Sequence, residues 1–423
     1  MRDNTDRRTA PQDKLGVLIP GLGAVTTTLL AGVFSVRKGS ARPVGSLTQL
    51  GWMPVPGGAS PRRALIKDAL GLARLEDLVF GAWDIEPEPA DAAAERAGVL
   101  ERAHIDAVRE ELAAVVPMPA VFDRSWVRNL KPKKIKKGRS KMDLADQVKR
   151  DIEDFRSRHG LRRLVMCWAA STEAFRGPGP AHSGLKAFES GLAKSDPRIS
   201  PSQIYAYAAL DLGIPHINGA PHLTTDCPAL TELAEKRGVP IGGKDFKTGQ
   251  TLIKTSLAPA LRDRLLGVSG WFSMNILGNR DGLVLRDPGS LRSKEAAKLG
   301  VLKSILDPDI HPGLYGEIEH QVKIHYYPPR GDNKESWDTI DIFGWMDYPM
   351  QIKVNLLLRD SILAAPVMLD LILFADLAQR AGRRGPQEWL AYYFKSPMTA
   401  AGRAAEHDLF AQRARLDSAL LEF

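Results

Sequence analysis

The sequence is poor in cysteine: 423 residues include two, Cys167 and Cys227. Two are too few for a disulfide framework or a cysteine-based zinc site, which fits a reducing, cytoplasmic compartment. Long apolar runs are also missing. The stretch 15–36 carries no charge, yet Pro20, Gly21, Gly23 and Gly32 break it and Thr26, Thr27 and Thr28 lie in its middle. It reads as a buried strand, a glycine turn and a helix, and not as a membrane span. The mixed-charge dozen before it differs from the basic opening of a signal peptide. No His, Asp or Cys cluster has metal-ligand spacing, so no protein-held metal is expected, although a cation held by substrate and backbone oxygens leaves no such trace. No internal repeat is visible.

What is present is an ordinary globular composition, 44% hydrophobic and 26% charged, with a net charge of +8. That balance favours anionic ligands, and the length allows two or three structural domains. Residues 131–141 hold seven basic residues in eleven with no aromatics among them. Phosphate-backbone contacts are one reading of such a run. A solvated loop is the preferred one, so nucleic acid is not expected as a partner.

Residues 1–13 are polar and read as a disordered tail. An apolar run at 15–19 then leads into Gly21-Leu22-Gly23-Ala24-Val25-Thr26. This is the shape of a dinucleotide turn, in which glycines let the backbone approach a pyrophosphate at a helix N-terminus. Thr26 stands where the third glycine of that pattern belongs, and many strand–glycine–helix junctions bind nothing. A second apolar strand ends at Asp84, which is either a ribose-hydroxyl acceptor or the N-cap of an acidic helix expected over 89–115. From 142 onward, helices and strands alternate. The loops Ala169-Ala170-Ser171-Thr172-Glu173, Asn218-Gly219-Ala220-Pro221 and 242–251 all fall at strand carboxyl ends, where such sheets bind ligands.

The most informative stretch is Ser273-Met274-Asn275-Ile276-Leu277-Gly278-Asn279-Arg280-Asp281-Gly282, followed by Leu291-Arg292-Ser293-Lys294-Glu295-Ala296-Ala297-Lys298. A strand over 266–274 delivers an Asn/Gly/Asp turn, and the next helix places Lys294 and Lys298 on one face. Turn amides and ammonium groups converging there suit a phosphate; a solvated helix face is the bland alternative. Strands are expected at 317–327, 336–345 and 351–357, and helices at 359–380, 388–394 and 402–421.

These loops, taken together, resemble the inositol-3-phosphate synthase family. Nine segments match in order: Gly45-Ser46-Leu47-Thr48-Gln49, Trp83-Asp84-Ile85, Asn218-Gly219-Ala220-Pro221, Asp245-Phe246-Lys247-Thr248-Gly249-Gln250-Thr251, 275–282, Arg292-Ser293-Lys294-Glu295, Gly331-Asp332-Asn333-Lys334, Arg359-Asp360-Ser361 and Phe394-Lys395-Ser396-Pro397. Thr26, Ala220, Arg280 and Leu291 depart from the family's usual residues. The resemblance implies an α/β fold: a Rossmann-like, doubly wound parallel sheet (14–250, completed by helices in 359–423). It is interrupted by an α+β catalytic and oligomerisation domain (251–358) with an open, mainly antiparallel sheet.

The resemblance also implies the chemistry. Glucose 6-phosphate becomes inositol 3-phosphate through oxidation at carbon five by NAD, enolisation at carbon six, aldol closure onto carbon one and re-reduction. Two of these steps develop a negative oxygen, which fixed ammonium groups stabilise well in a dry pocket. Carried over by position, Lys294, Lys334, Lys395, Asp245 and Asp360 are the expected catalytic residues. Thr248, Gly249, Asn275, Asn279, Asp281 and Lys298 are expected to contact the sugar phosphate. Gly21, Gly23, Ala24, Val25, Asp84, Ser171, Thr172, Asn218, Gly219 and again Asp245 are expected to contact NAD. A homotetramer is expected, and no membrane partner. Three alternatives stay open at this level: a sugar-phosphate dehydrogenase, a synthase for another sugar phosphate, and a non-catalytic NAD- and sugar-phosphate-binding relative.

Overall fold

Strands buried on both faces read as nearly continuous apolar runs, and LGVLIP at Leu15–Pro20 is buried at every position. The computed structural model describes residues 13–56, 62–400 and 403–423, without the side chains of residues 293–299. The expected tail, but for Asp13, lies outside the described residues. In chain order the strands of the two larger sheets are β1 Leu15–Pro20, β2 Leu78–Asp84, β3 Met118–Pro119, β4 Arg163–Trp168, β5 His216–Asn218 and β6 Pro240–Gly243. They continue with β7 Gly267–Leu277, β8 Glu319–Tyr326, β9 Asn333–Phe343, β10 Pro349–Arg359 and β11 Gly385–Pro386. The helices that matter here are α1 Ala24–Arg37, α2 Lys141–His159, α3 Pro201–Asp211, α4 Gly249–Asp263, α5 Pro288–Ile305, α6 Asp360–Arg380 and α7 Leu409–Leu421.

Seven strands form one parallel sheet in the order β11-β6-β5-β4-β1-β2-β3. The order reverses at β1, which lies between β2 and β4, so a ligand crevice opens at the carboxyl ends of β1 and β4. The chain leaves this sheet after β6, builds a four-stranded sheet in the order β8-β7-β9-β10, and returns through α6 to β11. In the smaller sheet β9 pairs antiparallel with both β7 and β10, while β8 runs parallel to β7. Helix α6 is long and apolar enough to cross a membrane by length and composition, but most of it is buried inside the fold. It packs against α1, β4, β5 and β6.

Several local expectations change. The helix expected over 89–115 is three short ones, Ala90–Ala97, Arg102–Asp106 and Arg109–Ala113, the first ended by Gly98 in the left-handed region. Strand β7 runs on to Leu277, so Asn275 lies in a strand and not in the turn. Strand β9 begins at Asn333 and carries Lys334. Residues 388–393 form a 3-10 helix, and the last helix starts at Leu409.

The basic run 131–141 is largely the solvated loop expected, with Lys131, Lys133, Lys134, Lys137 and Arg139 exposed, and it is also anchored. It forms a strap across β2 and β3, with the Lys133 and Lys134 amides donating to the Ile85 carbonyl and the Lys136 amide to Ala120. Lys133 pairs with Glu86 (3.0 Å) and Glu88 (3.2 Å), and Lys136 with Asp151 (2.7 Å). Carboxylates distant in the sequence take up these charges.

The first matched segment is structural. Asp370, fully buried in α6, accepts from the Ser46 hydroxyl (2.6 Å), the Leu47 amide (2.7 Å), the Thr48 amide (3.0 Å) and hydroxyl (2.6 Å), and the Tyr393 hydroxyl (3.1 Å). Burial pushes its carboxyl up, and the hydrogen bonds from Ser46 and Thr48 oppose that. Asp370→Ala strips five donors of their acceptor and is expected to cost about 3 kcal/mol or more, read as a lower midpoint in denaturant melts.

Candidate active site

The first element of the site is the turn after β1. Gly21 has φ +101, and a Cβ there would lie 2.5–2.8 Å from the backbone and Cβ of Ala170. Glycine is therefore required where the β1 and β4 loops meet. Gly23 is the N-cap of α1 with no side-chain cap, and nothing lies within 4 Å of a Cβ placed on it. The first-turn amides at Ala24 and Val25 thus open onto unfilled space at the positive end of a helix with no acidic residue in its first turn. Thr26, in the place of a third glycine, donates its hydroxyl to the Gly21 carbonyl (2.6 Å) and ties the turn to the helix. Asp84 accepts from the Leu22 amide (2.7 Å) and the Glu86 amide (3.0 Å). It is not a helix N-cap, since that position belongs to Pro89.

The second element is an interlock of three loops beyond β5 and β6. The Asp245 amide donates to Ala220 and the Phe246 amide to Gly219. On the other side, the Lys395 amide donates to the Asp245 carbonyl (2.7 Å), the Lys247 amide to Tyr393, and Lys244 and Ser396 exchange amide bonds. A Cβ on Gly219 would meet the Phe246 ring at 2.4 Å, so this packing too requires glycine. The clip leaves Asp245 at φ +63, buried, with its Oδ1 3.1 Å from the Lys395 ammonium. Asn218 spends its side chain inside the loop, donating to His222 and Thr224 and accepting from Ala220. Ser171 is half-buried and Thr172 buried in the loop after β4.

The third element comes from the small sheet. Lys334, at the start of β9, pairs with Asp360 at 2.7 Å. Asp360 Oδ1 lies 3.4 Å from where a Gly249 Cβ would be. The lysine pair therefore adjoins the N-terminus of α4, where Thr248 is the N-cap without a side-chain cap. Asn279 caps the next short helix and donates to Asp332 (2.9 Å), which also accepts from Ser361 (3.2 Å). Asp281 sits half-buried in that helix's first turn. Asn275 is fully buried, bonded to Gln250 (2.7 Å) and Ser336 (3.1 Å). Lys294 and Lys298 lie on α5, whose start is fixed by the Phe175 amide donating to Gly289 (2.9 Å). Their side chains lie outside the described residues.

Asp332, Gln250 and Ser361 join the site although the residue-by-residue reading had not singled them out. The signal was available for all three: Gln250 lies within the Asp245–Thr251 motif, Asp332 sits two residues before Lys334, and Ser361 follows Asp360 in a matched segment. Lys247, by contrast, shares a motif with Asp245 but faces away, bonded to Gln412 of α7. Burial lowers its ammonium to about 7. Among the described residues no group of three or more His, Cys, Asp or Glu could hold a metal ion.

With this geometry in view, comparison with known proteins is specific. A family model described as myo-inositol-1-phosphate synthase, of the NAD-binding class, matches residues 15–420. A relative from Bacteroides thetaiotaomicron named inositol-3-phosphate synthase 1 is 50% identical over 401 residues, covering 94% of this chain and 93% of its own. One of the same name from Oryza sativa subsp. japonica is 32% identical, covering 98% and 86%. The crystal structure of inositol-3-phosphate synthase from Caenorhabditis elegans superposes with a TM-score of 0.90 at 25% identity, covering 96% of this chain and 85% of that one.

Beneath the crevice, Glu173 accepts from the Ser202 amide (2.9 Å) and hydroxyl (2.7 Å) at the start of α3, and faces His222. Burial pushes its carboxyl from 4.5 up to about 7, against those hydrogen bonds. Between pH 4.5 and 7 the folded chain keeps a proton that the unfolded chain releases, so this group's contribution to stability falls as pH rises through that window. Glu173→Gln removes the dependence. Relative to the parent, the variant is expected to gain about 1–3 kcal/mol across that window in denaturant titrations; parallel curves would refute this.

Proposed function

The chain belongs to the myo-inositol-1-phosphate synthase family, and on that premise we propose that it converts D-glucose 6-phosphate to 1D-myo-inositol 3-phosphate. The observation that carries the reading is a pair of Lys–Asp couples with buried ammonium groups, Lys395–Asp245 and Lys334–Asp360, brought to the carboxyl end of the parallel sheet beside the N-terminus of α4. NAD is the cofactor, and the turn fits it: a glycine that no side chain can replace, an uncapped helix N-terminus and the Asp84 carboxylate at the second strand's end. In this reading Gly21, Gly23, Ala24, Val25 and the loops at Ser171–Thr172 and Asn218–Gly219 hold it. When bound, NAD supplies the acceptor for the hydride of carbon five and later returns it.

The chain's own residues do the rest. The Thr248 and Gly249 amides, with Asn275, Asn279, Asp281 and Lys298, bind and orient the phosphate and sugar hydroxyls. Once carbon five is a ketone, a neutral lysine amine of the site takes a proton from carbon six, and the electrons of that C–H bond move onto the carbon-five oxygen. Lys334, with Lys294, stabilises that oxyanion. Carbon six then bonds to the carbon-one aldehyde, whose oxygen becomes negative and takes a proton; Lys395 serves that end. Asp245 and Asp360 fix the direction of the two ammonium groups, and so of the N–H donors those groups carry. The hydride goes out and comes back, so no net oxidation results.

The assay incubates the protein with NAD and glucose 6-phosphate and follows inositol phosphate and NADH absorbance together. Inositol phosphate without net NADH is expected, with turnover at least about 100-fold lower in Lys395→Ala and Lys334→Ala. Accumulating NADH with a keto-sugar would instead identify a dehydrogenase.

A homotetramer built through the small sheet is part of the same reading. Supporting it, β10 is an edge strand with an exposed outer face, including Leu357, and the β9–β10 connection exposes Trp345 (89%), Met346 (82%) and Tyr348 (73%). The free, buried cysteines support a reducing, cytoplasmic location. Light scattering is expected to give the mass of four chains, and Trp345→Glu with Leu357→Glu a smaller species. An unchanged mass in the double variant would remove this face from the assembly.

A further inference from the structure

A line of buried polar side chains crosses the inner face of the small sheet, between Lys254 of α4 and Ser336, two residues beyond Lys334 on the same face. Strand register places Ser336 opposite Asn275 and Asp338 opposite Ser273. Asp338 is 2% exposed. Its Oδ1 accepts from the Ser273 hydroxyl (2.5 Å) and the Trp271 indole N–H (2.9 Å), and its Oδ2 from Gln250 Nε2 (3.1 Å). Because the Ser273 hydroxyl donates to Asp338, its lone pairs are available to Lys254 Nζ, 3.3 Å away. Lys254 is 4% exposed, lies 5.4 Å from the Trp271 ring centroid, and is 2.8 Å from His320 Nε2. A buried cation and a buried carboxylate thus share one hydroxyl.

The consequence is directional. An ionised carboxylate accepts and never donates, so Gln250 must present its NH₂ to Asp338 and its carbonyl to Asn275. Asn275 then donates its NH₂ to Gln250 (2.7 Å) and accepts the Ser336 hydroxyl on Oδ1 (3.1 Å). Carboxamide orientation is ordinarily ambiguous from shape alone; here Asp338 is the nearest acceptor of Gln250 Nε2, ahead of the Met274 (3.4 Å) and Trp337 (3.5 Å) carbonyls, and the sense so fixed passes on to Asn275. Asn275 keeps a second N–H, and Gln250 lies in the first turn of α4, whose N-terminal amides face the Lys334–Asp360 couple.

We propose that Asp338, supported by Lys254 through Ser273, is a positioning residue that, through Gln250, sets the donor sense of Asn275 toward the substrate's anionic group. This rests on reading the pocket as the sugar-phosphate site. It assigns a role to residues two or more side chains away from Asn275, the group expected to touch substrate. Asp338→Asn is the sharp probe, a change nearly isosteric with the parent. The new Oδ1 must accept from Trp271 and Ser273, so the new NH₂ faces Gln250. Two NH₂ groups then face each other at the shortest of the Gln250 Nε2 contacts, which turns Gln250 over against its longer bonds to the Met274 and Trp337 carbonyls; Asn275 follows, and its carbonyl replaces its NH₂ on the Gln250 side.

The test measures glucose 6-phosphate affinity by calorimetry and NAD affinity by fluorescence, with turnover of the parent protein recorded separately. Asp338→Asn is expected to weaken glucose 6-phosphate binding at least tenfold while NAD affinity changes less than threefold. Adding Gln250→Glu to that variant puts an acceptor-only group between the new carboxamide and Asn275. It restores the original sense and is expected to recover most of the loss. A folded Asp338→Asn protein that binds the sugar phosphate as the parent does would overturn the inference, as would a folded double variant with no recovery. Absence of turnover in the parent would count against the synthase reading itself and is scored apart from these affinities.

Discussion

The site depends on one set of backbone hydrogen bonds: those that clip residues 244–247 between the 218–220 loop and the 393–396 segment. Neither flanking segment is near the other in sequence. Asp245 is held in the left-handed region, an arrangement that costs a non-glycine residue of order 1–3 kcal/mol and persists where the surroundings over-determine it. Here bonds from its own amide and to its own carbonyl supply that determination. The reward is placement, since a buried carboxylate meets a buried ammonium at a strand's carboxyl end, where a sheet of this order leaves room for a ligand.

Charge burial follows one logic across the fold. A lone buried ion is costly, so several are met by an opposite charge or a fan of donors, whereas Lys247, bonded to Gln412, has its ammonium lowered to about 7 instead. Asp370 takes five donors. Lys395 and Lys334 take carboxylates, and Lys254 reaches Asp338 through a hydroxyl. Groups with no structural alternative are thereby fixed in direction as well as in charge state. That matters for a reaction whose oxyanions appear at two different carbons, because donors already oriented pay no reorganisation when the charge develops.

Much of the fold was legible because its signals are local. Glycine turns, apolar strand-length runs and alternating helices identify the parallel sheet, and the ordered motifs identify the family. What stayed hidden was whatever depends on a distant partner. The run 131–141 is solvated as its composition suggests, but its ties to Glu86, Glu88 and Asp151 come from elsewhere in the chain. Nothing local to Ser46 and Thr48 shows that their partner is Asp370 of α6. Asp84 had two local readings, and a third, pinning the Leu22 amide, required the β1–β2 pairing. Lys254 and Asp338 carried no local signal, since a lysine in a helix and an aspartate in a strand are ordinary until folding buries both.

The departures from the family's usual residues have the same character. Where the nucleotide turn has Thr26 in place of glycine, the hydroxyl bonds to the Gly21 carbonyl, so added bulk becomes an added tie. Ala220 contributes its carbonyl to the Asp245 amide, a backbone contact that does not depend on its side chain. Arg280 reaches Glu86 at 3.2 Å, and Lys133 pairs with the same carboxylate. That bridge joins the turn of the small sheet to the loop after β2. A sequence can drift at such positions because each change is absorbed by a neighbour already present, whereas Gly21, Gly219 and Asp245 have no neighbour able to absorb one.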